Sequence, residues 1–210
     1  MIQMKRVPRP VVPRPFYSPK KILILGESIA LGYGVKHFRK GFAGLIEGAF
    51  PEFSVEVIAR PFKGTGALLS VVPLERKYDM VILTTSGNDL MVSDAAKVMN
   101  DLNKVLDKCA HITRNVVILG NFNNLYRAKY FSGTKFYKCI PYLLQRFFEK
   151  QGKMVKEAYE TTVLHRRNLR VKLVEVSILI QDTAEDGVHP NARGHTAFSE
   201  PIIRAVRSML

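Results

Sequence analysis

The sequence has only two cysteines, Cys109 and Cys139, and no tryptophan among its 210 residues. The cysteines stand far apart and form no CxxC pair, so neither a disulfide scaffold nor a thiolate zinc site is indicated. Long apolar runs are also missing. The longest, such as 116–120, have the length of a strand, and none is long enough to span a bilayer. Acid is scarce: 18 Asp and Glu face 32 Lys and Arg, a formal charge of +14. That excess favours anionic partners such as nucleic acid, anionic lipid or an acidic polymer, and says nothing about the fold. No GxGxxG follows the first apolar run and no Walker loop occurs, which disfavours dinucleotide and nucleotide binding.

What is present is an ordinary globular balance, 47% apolar and 24% charged, which excludes a wholly disordered chain. The length fits one domain, or one domain with a tail, and suffices to bury a core without metal or disulfide. Residues 1–20 read as a basic, proline-rich arm and 21–210 as the domain. The stretch 1–21 carries Lys5, Arg6, Arg9, Arg14, Lys20 and Lys21 and no acid. Its prolines fix φ and remove donors, which predicts extended or polyproline-like backbone. They also interrupt any apolar core of a secretion signal, so the expected address is the cytoplasm. The arm is expected to be a solvated tail, with a tether to an anionic surface as the alternative.

Five short apolar runs follow: 21–25 (KILIL), Ser54–Ala59, Met80–Thr85, Asn115–Gly120 and 171–176 (VKLVEV). Runs of this kind are strands buried on both faces. Helical patterns separate them. Ser93-Asp94 reads as an N-cap before Val98, Met99, Leu102, Val105, Leu106 and Cys109 at helical spacing. Residues 142–165 read as a long helix and 192–209 as a last one, bent or restarted at Pro201. Strands alternating with helices predict an α/β fold with a parallel sheet.

In such a sheet a ligand sits beyond the C-terminal strand ends. The residues that follow the apolar runs are therefore the informative ones. They are Gly26-Glu27-Ser28, Lys63-Gly64-Thr65-Gly66, Ser86-Gly87-Asn88-Asp89, Asn121-Phe122-Asn123-Asn124 and Asp186-Gly187-Val188-His189. Ser28 is expected to point into the crevice from the N-terminus of the next helix. A serine hydroxyl needs a base to become a nucleophile, and His189 is the candidate. Asp186, three residues earlier, is close enough to hold one imidazole nitrogen and leave the other for Ser28. The Ser28 and Gly64 N–H groups and the Asn88 amide could supply three donors to a developing oxyanion. Taken singly, each block has an ordinary reading as a cap or turn; their joint order carries the inference.

These blocks, GES at Ser28, KGTG at Gly64, GND at Asn88 and DGVHPN from Asp186, resemble the SGNH or GDSL-like hydrolase family, in that family's order. The resemblance implies a flavodoxin-like three-layer α/β/α sandwich on a five-stranded parallel sheet. It implies a serine hydrolase of carboxylic esters, of the esterase, lipase or deacetylase type, working through an acyl-serine. Ser28 resembles the nucleophile, His189 and Asp186 the base and its orienter, and Gly64 and Asn88, with Ser28, the oxyanion donors. No metal or organic cofactor is implied. Glu27 stands where the family usually has Asp, and many members place a glycine two residues before the Asn, where this chain has Ser86. Neither departure removes a reacting group.

The segment 126–156 mixes cations with aromatics. Its first part follows the fourth strand and is expected to overhang the crevice, with Tyr126, Arg127, Lys129 and Tyr130 as substrate-binding candidates. Aromatic faces suit sugars or acyl chains and cations suit anions, so the expected partner is a small-molecule, glycan or lipid ester, an anionic one included. Two alternatives stay open beside this reading. An O-acetyltransferase or carbohydrate acetylesterase would act on a glycan through the same acyl-serine. A non-catalytic basic module would bind nucleic acid or an anionic glycan, although no nucleic-acid recognition motif is present.

Overall fold

The computed structural model describes residues 20–91, 94–122, 140–177 and 179–210, with the side chains at 140–145, 148 and 180 left aside. The basic arm, except for Lys20, lies outside the described residues. So do Tyr126, Arg127, Lys129, Tyr130 and Cys139.

Five six-residue strands form one sheet: β1 (Lys21–Gly26), β2 (Ser54–Ala59), β3 (Met80–Thr85), β4 (Asn115–Gly120) and β5 (Arg170–Glu175). Their order is β2-β1-β3-β4-β5 and every pair is parallel. The helices are α1 (Phe42–Ala49), α2 (Ala95–Ala110), α3 (Ile140–Leu164) and α4 (Ala192–Arg207). The expected strands hold, with β1 reaching one residue further and β5 shifted one residue earlier.

The central strands are apolar over 22–26, 80–83 and 116–120 because both of their faces are covered. Side chains alternate across a strand. In β1, Leu23 and Leu25 join one core cluster and Ile22 and Ile24 the other. The register continues the pattern: Leu23 pairs with Val81, and Val81 with Val116, on the first face. That face is closed by Val98, Leu102, Val105 and Leu106 of α2 and by Val155, Ala158 and Tyr159 of α3. The opposite face is closed by Phe42, Ala43 and Ile46 of α1 and by Phe198, Ile202, Ala205 and Val206 of α4. Each fully buried aliphatic side chain contributes roughly 1.5–3 kcal/mol relative to exposure. This packing also explains the last helix. The sequence leads one to expect a bend or restart at Pro201; the helix does not restart there, and α4 runs through the proline as one element. Phe198 and Ile202, on either side of the proline, are both fully buried against the sheet. Their burial outweighs the missing backbone donor.

Caps fix where two helices begin. Asp94 accepts from Ala96 and Lys97 N–H at 2.9 and 3.2 Å to start α2. Asn191 accepts from Arg193 and Gly194 N–H at 2.9 and 3.1 Å to start α4. The Asn191 amide also donates to the Gln181 and Thr183 carbonyls at 3.0 and 3.1 Å, tying the helix start to the loop before it. Among the described residues no helix is long and apolar enough to cross a membrane.

Candidate active site

The C-terminal strand ends gather the residues singled out by their position in the sequence. β1 ends at Gly26, where a Cβ would lie 1.8 Å from Thr84 Oγ1, so only glycine lets β1 and β3 approach this closely. Glu27 N–H then donates to the Thr84 carbonyl at 3.2 Å and holds the chain on the sheet for one more residue. Ser28 comes next and is buried. It does not head a helix, as its place after a strand suggests. The chain runs through consecutive turns, with the Ser28 carbonyl accepting from Leu31 and Tyr33 N–H at 3.1 and 3.2 Å. The first α-helix after it begins only at Phe42.

His189 reaches Ser28 from the far end of the sequence. Its Nε2 lies 3.0 Å from Ser28 Oγ, and its Nδ1 lies 2.6 Å from Asp186 Oδ2. With Nδ1–H donated to the carboxylate, Nε2 carries the lone pair and accepts the serine hydroxyl. The three-residue spacing works because Asp186 folds its own turn. Its Oδ1 accepts from Val188 and His189 N–H, each at 3.0 Å, and Gly187 turns the chain at φ 69°. Burial alone would push the Asp186 carboxyl up, but those two N–H groups and the imidazole hold it below the usual range. It therefore stays ionised beside the histidine.

Two aromatic rings flank the imidazole, Tyr33 at 5.2 Å and Phe62 at 6.1 Å between ring centroids. The Tyr33 carbonyl is held in turn by His195 Nε2 at 2.9 Å. His195 is fully buried in the first turn of α4, and burial pushes it down to about 4.

Glu27 has a use that its sequence position does not reveal. Its carboxyl turns inward beneath the loop after β3 and accepts from the Asn88 N–H at 3.3 Å. Burial, then the charge of Asp89, pushes it well above the ordinary carboxylate range, against the pull of the Asn88 and Gly87 N–H groups. The longer side chain thus spans from the serine turn to the asparagine loop.

Asn88 Nδ2 donates to the Lys63 carbonyl at 3.2 Å, which brings the loops after β2 and β3 together. Gly64 lies next to that contact in extended backbone at the head of a 3₁₀ turn, Thr65–Ser70. Among the described residues neither the Ser28 nor the Gly64 N–H enters a hydrogen bond. A cleft of ≈ 90 Å³ opens here. It is lined by Glu27, Ser28, Ile29, Phe62, Gly87, Asn88, Asn121, Val188, His189, Pro190 and Phe198, and Gly64 is not among them. Asn121 lines the cleft as its place after β4 suggested. Tyr33 and Phe62 carry no motif that would have marked them.

No family model matches the sequence, and no curated protein matches it. Solved structures do. The chain is similar to a carbohydrate acetylesterase family member from Sinorhizobium meliloti, at 15% identity and TM-score 0.67, over 91% of this chain and 99% of that one. It is similar to a putative arylesterase from Agrobacterium tumefaciens str. C58, at 14% identity and TM-score 0.66, over 91% and 100%. A member of the lipolytic protein G-D-S-L family from Veillonella parvula DSM 2008 matches at 15% identity and TM-score 0.60, over 90% and 98%. These likenesses establish the fold, the α/β/α sandwich on a five-stranded parallel sheet. The structures that share it include that member of the lipolytic G-D-S-L family, the family that the four sequence blocks resemble.

Proposed function

We propose that this chain hydrolyses carboxylic esters through an acyl-Ser28 intermediate. One observation carries the reading: the continuous hydrogen-bonded run Asp186–His189–Ser28 at 2.6 and 3.0 Å, opening on a cleft at the strand ends. Ser28 Oγ attacks the ester carbonyl carbon while His189 Nε2 takes its proton. The carbonyl oxygen becomes an oxyanion, and the Ser28 N–H, the Gly64 N–H and the Asn88 amide are its proposed donors. Collapse breaks the bond to the alcohol, which leaves with the proton from His189. Water then repeats the sequence on the acyl-enzyme and releases the acid. Asp186 remains a carboxylate throughout and orients the imidazole. The esterase and acetylesterase names of the structural neighbours support the reaction class.

The test is hydrolysis of p-nitrophenyl esters from acetyl to palmitoyl by the wild type and Ser28→Ala in parallel. Turnover that vanishes in the variant supports the reading, and the chain-length optimum defines the acyl group. Turnover that persists in Ser28→Ala overturns it.

A further inference from the structure

Behind the cleft, on the α3 face of the sheet, four side chains from four segments converge. Thr65 opens the turn after β2, Thr85 ends β3, Asp89 lies in the 3₁₀ turn Asn88–Met91, and Tyr159 comes from α3. All four are buried. Asp89 Oδ2 accepts from the Tyr159 hydroxyl at 2.7 Å and the Thr65 hydroxyl at 2.5 Å, and Oδ1 accepts from the Thr65 N–H at 2.8 Å. The Thr85 hydroxyl lies 2.7 Å from the Tyr159 oxygen. Each hydroxyl has one proton to give. With Thr65 and Tyr159 both donating to the carboxylate, Thr85 is left to donate to Tyr159. The Thr65 hydroxyl also lies 2.7 Å from the Tyr159 oxygen, so the three hydroxyls and the carboxylate form one closed cluster in which Tyr159 donates to Asp89. Burial, with the Asp89 charge added, holds the Tyr159 hydroxyl well above its ordinary value, so it stays a donor.

The position of this cluster in the chain gives it consequence. Gly64 immediately precedes Thr65, and Asn88 immediately precedes Asp89. Two of the three proposed oxyanion donors, Gly64 and Asn88, thus sit on separate loops, and oxyanion stabilisation depends on their spacing. The Thr65 N–H to Asp89 bond couples the two backbones one residue beyond the donors, and Tyr159 anchors the accepting carboxylate to α3. Resting on the hydrolase reading above, we infer that Tyr159 is a positioning residue. By donating to Asp89 it sets the distance between Gly64 and Asn88 without touching the substrate. The ring itself packs edge-on to Phe122 at 5.5 Å, so removing only the hydroxyl leaves the core filled.

Tyr159→Phe is expected to lower kcat on p-nitrophenyl acetate roughly tenfold or more with KM within about twofold, since only transition-state contacts are lost. In an Asn88→Ala background, where one donor is already gone, the same substitution is expected to change kcat by less than about twofold. A purely structural role would give the same loss in both backgrounds, and that result overturns the inference, as does an unchanged kcat in the single variant. Thr85→Val, which cuts the chain at its first donor, supplies the same comparison should Tyr159→Phe fail to fold. Labelling of Ser28 by a fluorophosphonate, measured in all variants, separates this inference from the hydrolase reading. A wild type that labels but turns over no assayed ester still ranks the variants by labelling rate. A wild type that does neither overturns the site and the inference with it.

Discussion

The hydrogen-bonded chains that end on Asp186 and on Asp89 lie close to the same strand ends, and their surroundings differ sharply. Asp186 stands at the surface with its side chain 49% exposed, and its partner His189 opens onto the cleft. Asp89 is sealed beneath the loops and accepts three hydrogen bonds from neutral donors. The first chain can exchange a proton with whatever enters the cleft. The second has no route to solvent and no nucleophile, so it holds geometry. A buried carboxylate near a site is therefore not by itself a reacting group; what its neighbours can do with a proton decides.

Substitutions can break the contrast at either end. The largest effect is expected in the open chain. His189→Ala and Asp186→Asn should each lower kcat on p-nitrophenyl acetate by roughly 10⁴, the first by loss of the base and the second by the wrong tautomer. Initial rates at matched protein concentration check this. Asn88→Ala is next, with an expected loss of roughly 10² to 10³ in kcat and little change in KM. A large KM change instead would place Asn88 in ground-state binding.

The sealed chain should respond in stability. Asp89→Ala removes the shared acceptor of two hydroxyls and leaves the Thr65 N–H without one in the core, and should cost about 3 kcal/mol in urea unfolding. Asp186→Ala, half exposed, should cost about 1 kcal/mol. Equal losses would erase the distinction.

The last effect lies on the acid limb and is read as a slope of stability with pH. His195 titrates at about 4 in the folded chain, below its ordinary 6.5. The unfolded chain therefore binds the proton first as pH falls. His195 costs nothing above about pH 6.5 and removes up to about 3 kcal/mol as pH drops to about 4. The lowered Asp186 carboxyl adds in the same direction, since its contribution is lost as pH falls through its folded value. Urea unfolding at pH 7 and 4.5 should show a shallower decline in His195→Gln than in the wild type.

The strands were legible because both faces of the sheet are covered, so Ile22, Leu23, Ile24 and Leu25 form an unbroken apolar run. Ser28, His189 and Asp186 were legible by order along the chain, which a flavodoxin-like topology converts into proximity at the strand ends. What escaped depends on long-range contact. Tyr159 reads as one more core aromatic of a long helix, and Asp89 as a turn residue. Nothing local says that the two meet. Glu27 reads as a departure from a motif, and only its inward turn explains the extra methylene. The turns after Ser28 read as a helix start because caps and turns share residue types. The helix Phe42–Ala49 is short and carries Gly44 and Gly48, so its pattern is faint.

His189, Pro190 and Asn191 are consecutive, and Asn191 begins α4 while gripping the loop behind it. The proposed base is thus part of the same cooperative unit as the opening turn of the last helix. Fraying of that turn would carry the imidazole away from Ser28 before the sheet loosens. Activity should accordingly disappear at a lower urea concentration than the far-ultraviolet circular dichroism signal, and the gap between the two transitions would measure how tightly Asn191 fastens the site.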